Sequence, residues 1–215
     1  YPAALQHPWG CLVVVNVCWR GAWGMKAVML AAGIGSRLGL ADSEHPPKLF
    51  LRCLVKSLLQ FQNKILKRYG IDELVLGVGY RYQDIEREIA ALGAQDFVRT
   101  VFNEDYKEGN IVTLWSLRNK LRCGESVLLM DADVLYHTEL LRRLLDAPAE
   151  NCFTFDAEVD NDEEPVKLCL QDGAPVEFGK IISGQYDRVG EWPGLLKLSP
   201  ERAARLAARL DQFME

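Results

Sequence analysis

Short apolar runs alternate with amphipathic helical patterns from Lys26 onward, and this alternation limits the fold more than any other feature of the sequence. The apolar runs are nearly continuous, as expected for parallel strands that are buried on both faces. We predict such strands near residues 26–31, 73–79, 97–102 and 126–131. The sequence therefore predicts an α/β fold built on a largely parallel sheet.

The segments between these runs have the periodicity of helices that pack on a sheet. Two of them stop at Gly70 and Gly93, and glycine is the usual residue just beyond a helix C-terminus. A last helix begins after Ser199, with Pro200 at its first position. We predict the earlier helices over Ser57–Tyr69, Tyr82–Leu92 and Gly109–Leu121.

The pattern changes after Asp133, where acidic or glycine-containing turns separate shorter apolar runs. Such runs predict a mixed sheet or an antiparallel flap. No internal repeat, low-complexity linker or second domain boundary is visible in the sequence, so residues 25–215 are predicted to form one domain. The shorter runs lie at residues 151–156, 166–170, 176–182 and 194–198.

Residues 1–24 do not continue the alternation. Their longest hydrophobic run, Cys11–Trp19, is too short to cross a bilayer, and they lack the basic start and the clean cleavage site of a secretory signal. We interpret residues 1–24 as an upstream extension without a fold of its own.

Composition excludes several classes of function. A net charge of −5 over 215 residues, with no basic stripe, argues against nucleic acid as the main partner. The six cysteines lie far apart without a C-x-x-C pair, so neither a zinc site nor a redox motif is supported. Reduced thiols in a cytoplasmic protein with no membrane partner are expected.

The first predicted strand opens into a glycine turn, LAAGIGSR, at Leu30–Arg37. Backbone N–H groups in such a turn form a concavity that suits phosphate oxygens. Arg37 and Lys48 add two cations at fixed offsets, which indicates a polyphosphate rather than a neutral ligand. We therefore predict a nucleoside triphosphate site, lined by Leu30, Ala31, Ala32, Gly33, Gly35 and Ser36.

Two other glycine-rich motifs do not fit this turn. A dinucleotide-binding G-x-G-x-x-G motif would need a third glycine where Leu38 stands. A P-loop would need a lysine directly after Gly35 or Gly39, and neither glycine is followed by one.

The two cations have distinct expected roles in nucleotidyl transfer. Arg37 can fork onto oxygens of the leaving β- and γ-phosphates, and Lys48 is a point charge suited to the α-phosphate. No general base is needed, because a phosphate or phosphonate acceptor is already ionised at neutral pH. His7, His45 and His137 are therefore expected to be incidental.

Asp131-Ala132-Asp133 follows the last predicted parallel strand. Carboxylates at the carboxyl end of such a strand lie where open α/β sheets bind ligands. One or both could bind Mg²⁺, with waters and phosphate oxygens completing the coordination. Alternatively, the same three residues form an ordinary turn.

The LAAGIGSR turn, Pro47-Lys48 and the D-A-D sequence together resemble the signature of the sugar-nucleotide pyrophosphorylase and nucleotidyltransferase superfamily, nearest its phosphocholine cytidylyltransferase group. The resemblance implies a Rossmann-like three-layer nucleotidyltransferase fold with a mostly parallel mixed central sheet. It points to Asp133 as the metal ligand, with Asp131 supporting it. It also implies a second metal-binding aspartate beyond Glu215, so the domain is expected to be incomplete at its C-terminus.

The resemblance implies further binding residues. Asn110 and Thr113 would lie near the base and the acceptor, although Gly109-Asn110 could equally be a plain helix start. Gly79-Tyr80 would support the base pocket. The candidate acceptor-binding residues are Lys167, Lys180 and Trp192.

We therefore predict a Mg²⁺-dependent enzyme that moves CMP from CTP to a phosphorylated or phosphonylated small alcohol, as a monomer or a homodimer. One alternative is a sugar-1-phosphate nucleotidyltransferase that uses UTP or dTTP. Another is a non-catalytic nucleotide-binding module, because Leu54-Val55 stand where relatives have a Gly-Gly turn and the second aspartate is missing.

Overall fold

The computed structural model describes residues 11–13, 24–33, 48–50, 52–53, 56–158 and 166–215. In chain order its strands are β1 (Cys11–Val13), β2 (Met25–Ala31), β3 (Arg52–Cys53), β4 (Lys56–Ser57), β5 (Glu73–Val78), β6 (Val98–Phe102), β7 (Ser126–Asp131), β8 (Cys152–Asp156), β9 (Lys167–Gln171), β10 (Ala174–Gly179), β11 (Arg188–Glu191) and β12 (Leu195–Leu198). Its α-helices are α1 (Leu58–Arg68), α2 (Tyr82–Ala91), α3 (Asn110–Ser116), α4 (Arg118–Leu121), α5 (Thr138–Asp146) and α6 (Pro200–Met214). Two short 3-10 helices cover Lys48–Phe50 and Tyr106–Glu108.

The chain forms two compact units, which we call the parallel unit (Gly21–Leu135 with Leu198–Glu215) and the antiparallel unit (Tyr1–Arg20 with Tyr136–Lys197). In the parallel unit the strand order is β7-β2-β5-β6, and all neighbouring pairs are parallel. The middle of each of the first three strands is fully buried, as their continuous apolar runs predicted. The predicted parallel strands are confirmed.

Helices α3, α4 and α6 pack together in the parallel unit. The sequence predicted a single helix over Gly109–Leu121, and this was wrong, because the helix is interrupted at Leu117. The side chain of Leu117 is fully buried, and a Cβ atom at Gly77 would lie only 2.8 Å from its Cδ1 atom. Close packing of this leucine on β5 therefore accompanies the break.

The antiparallel unit has the strand order β10-β9-β11-β8-β12. Its described strand pairs are antiparallel, which confirms the predicted change of pattern after Asp133. Its core contains Phe155, Leu168 and Leu170. Residues 11–13, which the sequence analysis left outside the fold, form β1 and pair with β8.

Two further elements of the antiparallel unit were not predicted. One is strand β11, and the other is helix α5, in which one of the first backbone N–H groups donates to a histidine side chain. The Nδ1 atom of His137 accepts a hydrogen bond from the N–H of Glu139 at 3.2 Å. His137 therefore has a capping role that the sequence analysis missed.

Three cysteines within the described residues, Cys123, Cys152 and Cys169, are free thiols, as predicted. Within the described ranges, we find no helix with the length and apolar character needed to span a membrane.

Candidate functional site

The carboxyl ends of three neighbouring strands form the base of the candidate site. In the parallel register, Leu30 of β2 pairs with Asp131 of β7 on one side and with Gly77 of β5 on the other. The N–H of Tyr80 donates to the carbonyl of Ala32 at 3.2 Å, which joins the loop after β5 to the loop after β2. The predicted glycine turn therefore begins beside the end of β7, at the edge where open α/β sheets bind ligands.

Lys48 and Asp133 form an ion pair, although 85 positions separate them in the chain. The Nζ atom of Lys48 lies 2.5 Å from Oδ2 of Asp133, and the two side chains are 27% and 38% exposed. A pair this exposed contributes less than about 1 kcal/mol to folding. Its significance is positional, because it brings the predicted phosphate-binding cation and the predicted metal ligand to one point.

Asp131, at the end of β7, lies in a different electrostatic environment. Burial raises the pKa of its carboxyl to about 6, repulsion from Asp133 adds to the rise, and Lys48 opposes it. A second positive charge nearby, such as a metal ion, would favour the ionised form. The ionised carboxylates of the acidic turn repel each other, and a bound cation would offset this repulsion.

Gly79 has a packing reason to be glycine. A Cβ atom at this position would lie 2.3 Å from the Cβ atom of Tyr106, closer than any side chain could tolerate. The tyrosine therefore packs directly against the backbone at the end of β5. The predicted part of Gly79 and Tyr80 in a base pocket stays a prediction.

Thr113 lies inside the protein, whereas Asn110 is exposed at the start of α3. Thr113 is 2% exposed, and its hydroxyl accepts a hydrogen bond from Nδ2 of Asn103 at 3.0 Å. Asn103 in turn accepts from the N–H of Asp105 at 3.0 Å. Thr113 therefore orders the segment after β6, and of the two predicted residues Asn110 is the one accessible to a ligand.

The three predicted acceptor-binding residues all lie in the antiparallel unit. Lys167 is partly buried at the start of β9, and Lys180 is exposed just after β10. The indole N–H of Trp192 donates to the carbonyl of Leu195 at 3.0 Å, and its ring meets that of Phe178 edge-on, with centroids 5.2 Å apart. The tryptophan is therefore held in a single orientation within its unit.

One residue near the acidic turn was missed by the sequence analysis. The side-chain amide of Gln62, on α1, donates to the carbonyls of Ala132 and Val134, both at 3.3 Å. The available signal was a polar residue within the apolar stripe of an amphipathic helix. Such a residue usually has a hydrogen-bond partner, but the sequence does not identify it.

The structure thus brings together Lys48, Asp131, Asp133 and the end of β2 within the parallel unit. Three predicted residues of the glycine turn, Gly35, Ser36 and Arg37, lie outside the described residues. Their predicted roles at the phosphates stay predictions.

Comparison with known proteins gives a consistent result. Residues 27–178 match the family model described as the MobA-like NTP transferase domain. The chain is similar to choline-phosphate cytidylyltransferase from Streptococcus pneumoniae, with 29% identity over 167 residues, 74% of this chain and 68% of that protein. It is also similar to CTP:phosphoglutamine cytidylyltransferase from Campylobacter jejuni, with 26% identity over 81% of this chain and 73% of that protein.

The fold has a counterpart among solved structures. The crystal structure of CTP:phosphocholine cytidylyltransferase from Streptococcus pneumoniae superposes with a TM-score of 0.64 at 22% identity. The match covers 88% of this chain and 77% of that one. This likeness confirms the predicted Rossmann-like nucleotidyltransferase architecture.

Proposed function

The chain belongs to the family of MobA-like NTP transferase domains and is a nucleotidyltransferase, and from this premise we propose that it moves CMP from CTP to a phosphorylated or phosphonylated small alcohol. The observation that carries the proposal is the meeting of Lys48 with Asp133 beside the end of β2. A cation and a carboxylate beside the strand that leads into the predicted phosphate-binding turn are the charges that nucleotidyl transfer needs.

In the proposed reaction, an oxygen of the acceptor attacks the α-phosphorus of CTP. A new P–O bond forms to the acceptor, and the bond to the β-phosphate oxygen breaks, so that pyrophosphate leaves with the bonding electrons. Because the attacking oxygen is already ionised, no proton has to be removed. The protein therefore acts mainly by positioning and by stabilising charge.

Lys48 is proposed to bind an α-phosphate oxygen, where negative charge develops as the acceptor approaches. Its ion pair with Asp133 holds the ammonium group at the site before the nucleotide arrives. A group that is already oriented does not have to reorganise during the reaction, which is the basis of electrostatic catalysis. Arg37 is proposed to hold the leaving phosphates.

The acidic turn fits a magnesium ion. Asp131 and Asp133 offer carboxylate oxygens on one turn, and Asp133 is exposed. Mg²⁺ suits such an open site, because it usually binds one or two carboxylates and keeps waters and phosphate oxygens as its other ligands. When bound, it would neutralise charge on the triphosphate.

The acceptor is proposed to be a small phosphorylated molecule that carries a nitrogen-containing group. The two similar cytidylyltransferases are named for phosphocholine and phosphoglutamine, which share that chemistry. Lys167 and Lys180 would attract the acceptor phosphate, and Trp192 would contact its organic part.

The proposal is tested by measuring pyrophosphate release with Mg²⁺-CTP. The acceptors are phosphocholine, phosphoethanolamine, 2-aminoethylphosphonate and glucose-1-phosphate, and UTP and dTTP are tried in place of CTP. We expect release with CTP and one nitrogen-containing acceptor. Release only with glucose-1-phosphate and UTP or dTTP would favour the sugar nucleotide alternative. Nucleotide binding without turnover would favour a non-catalytic module.

A further inference from the structure

Gln62 is a fully buried polar residue within the apolar face of α1. Its neighbours on that face are apolar, and it is itself 0% exposed. Burying an amide costs free energy unless its polar atoms find partners, so such a residue needs a specific explanation. The buried apolar neighbours on the helix are Leu58, Leu59, Ile65 and Leu66.

The partners of Gln62 lie on both sides of Asp133. Its Nε2 atom donates to the carbonyl of Ala132 and to the carbonyl of Val134, each at 3.3 Å. Because both partners are acceptors, the amide nitrogen must face them. The glutamine therefore restrains the peptide group that precedes Asp133 and the peptide group that follows Val134.

The same helix supports the other half of the ion pair. Helix α1 packs against the short helix Lys48–Phe50, whose central residue, Leu49, is 1% exposed. Helix α1 thus supports both members of the ion pair. Lys48 belongs to the short helix that packs on α1, and the residues on either side of Asp133 accept hydrogen bonds from Gln62 of α1.

Stability alone is a weak explanation for this glutamine. Its Oε1 atom is buried and has no hydrogen-bond partner in the part of the chain that the structure describes. An unpaired buried carbonyl loses its hydrogen bonds to water without replacement, and this cost offsets much of the gain from the two donated bonds.

We propose that Gln62 is a positioning residue, which holds Asp133 in place relative to Lys48 and so maintains the geometry of the triphosphate and metal site. The effect on catalysis rests on the proposed function, whereas the restraint on the turn does not. Residues that orient metal-binding carboxylates typically change metal affinity or activity 10- to 100-fold when they are replaced.

The first test measures the turn itself, in the intact chain without metal or nucleotide. Gln62→Met removes the donor at nearly constant volume. Gln60→Met makes the same replacement two positions earlier on α1, at a partly buried site. We expect amide hydrogen exchange in residues 130–135 to be at least about fivefold faster in Gln62→Met than in Gln60→Met, with exchange in β5 unchanged. Unchanged exchange in the turn, or equal acceleration in β5, would overturn the proposal.

The second test measures activity against Mg²⁺ concentration. In Gln62→Met we expect the Mg²⁺ concentration for half-maximal rate to rise about 10-fold or more, with a smaller change in the KM for CTP. Combined with Asp133→Asn, Gln62→Met should cost less than about twofold further, because its effect passes through Asp133. An equal loss in both backgrounds would contradict this.

Two safeguards keep the tests decisive. Gln62→Leu is measured beside Gln62→Met, so that poor folding of one variant does not remove the comparison. If the wild-type chain turns over no acceptor, the proposed function fails, and the exchange experiment still decides whether Gln62 holds the acidic turn.

Discussion

At the scale of single residues, the site depends on charges that meet only in the folded chain. Lys48 and Asp133 are both partly exposed, so their pair adds little to stability and leaves both groups open to a ligand. Asp131 is more deeply buried, and its raised pKa shows the electrostatic cost of that placement. Substitution of Lys48 is therefore expected to change the reaction rate, and substitution of Asp131 to change the stability of the folded protein.

Lys48→Ala should reduce kcat far more than it changes the KM for CTP, because the ammonium group is proposed to act on charge that develops in the transition state. We expect a loss of about 10²–10³-fold, as for removal of one oxyanion-binding donor. Steady-state kinetics of pyrophosphate release measure it. Lys64→Ala, an exposed lysine on α1, is the control. A rise in KM at constant kcat would show that Lys48 only binds the nucleotide.

Asp131→Asn should stabilise the metal-free protein at pH 8. The folded state raises the pKa of Asp131 from 3.8 to about 6, so the wild-type protein loses stability as pH rises through this interval. The loss, at most roughly 3 kcal/mol, should be absent in the variant. Urea unfolding in EDTA at pH 4 and pH 8 measures the difference, which should nearly vanish at the lower pH.

The control for this experiment is Asp96→Asn, which removes an exposed carboxyl elsewhere in the parallel unit. If Asp131→Asn gave the same difference at pH 4 and pH 8, burial of the charge would not be its cause.

At the scale of elements, one carboxylate of the last helix contacts residues of the two helices that precede β7 and of the segment just after them. Asp211 of α6 accepts a hydrogen bond from the indole N–H of Trp115 at 3.1 Å and forms ion pairs with Arg122 and Arg118. The hydrogen bond from Arg122 is the main cause that lowers the pKa of Asp211. A short helix such as α4 depends on such tertiary contacts, because isolated helices of this length are unstable.

Asp211→Asn should therefore lower the thermal midpoint at neutral pH. A carboxyl with a lowered pKa stabilises the folded state above its ordinary titration range, and this contribution is lost as pH falls through the lowered value. Melting curves from neutral to strongly acidic pH should show the variant and the wild type converge. Trp115→Phe, which removes one hydrogen bond to the carboxylate but no ion pair, should give a deficit that also shrinks as the carboxyl of Asp211 is protonated. Parallel curves for Asp211→Asn would contradict the ionic explanation.

At the scale of the whole molecule, each unit has its own set of strands and its own buried residues. The parallel unit carries the phosphate and metal candidates, and the antiparallel unit carries the acceptor candidates. The net charge of −5 is no obstacle to a nucleotide, because its phosphates are met locally by a few cations. Ligand binding should therefore appear as stabilisation of the folded chain.

Mg²⁺-CTP at about 100 times its dissociation constant should stabilise the protein by about 2.7 kcal/mol. For a chain of this size that corresponds to a rise in thermal midpoint of about 5–10 °C. UTP at the same concentration should give a smaller rise, and Lys48→Ala should reduce the response to both. Differential scanning fluorimetry measures these shifts. Equal shifts for the two nucleotides would contradict selection of cytosine.

The sequence by itself determined the parallel sheet, because strands buried on both faces must be apolar throughout. It also identified the glycine turn and the acidic turn as candidates, since both follow strand ends, and it identified Lys48 from its offset after the glycine turn. It could not show that Gly109–Leu121 is broken, because periodicity does not reveal the close packing of Leu117 on Gly77 that accompanies the break. Strand β11 was missed because it has only four residues, whereas α5 was missed although its sequence is strongly amphipathic.

Only the tertiary structure decided which of these residues meet. Several contacts join residues that are separated in the chain. Lys48 pairs with Asp133, the buried Thr113 accepts a hydrogen bond from Asn103, and Gln62 donates to Ala132. Periodicity reports which face of an element is buried, but it carries no information about the partner across the interface. The candidate residues could therefore be read from the sequence, whereas their arrangement depended on the packing of α1 and β7.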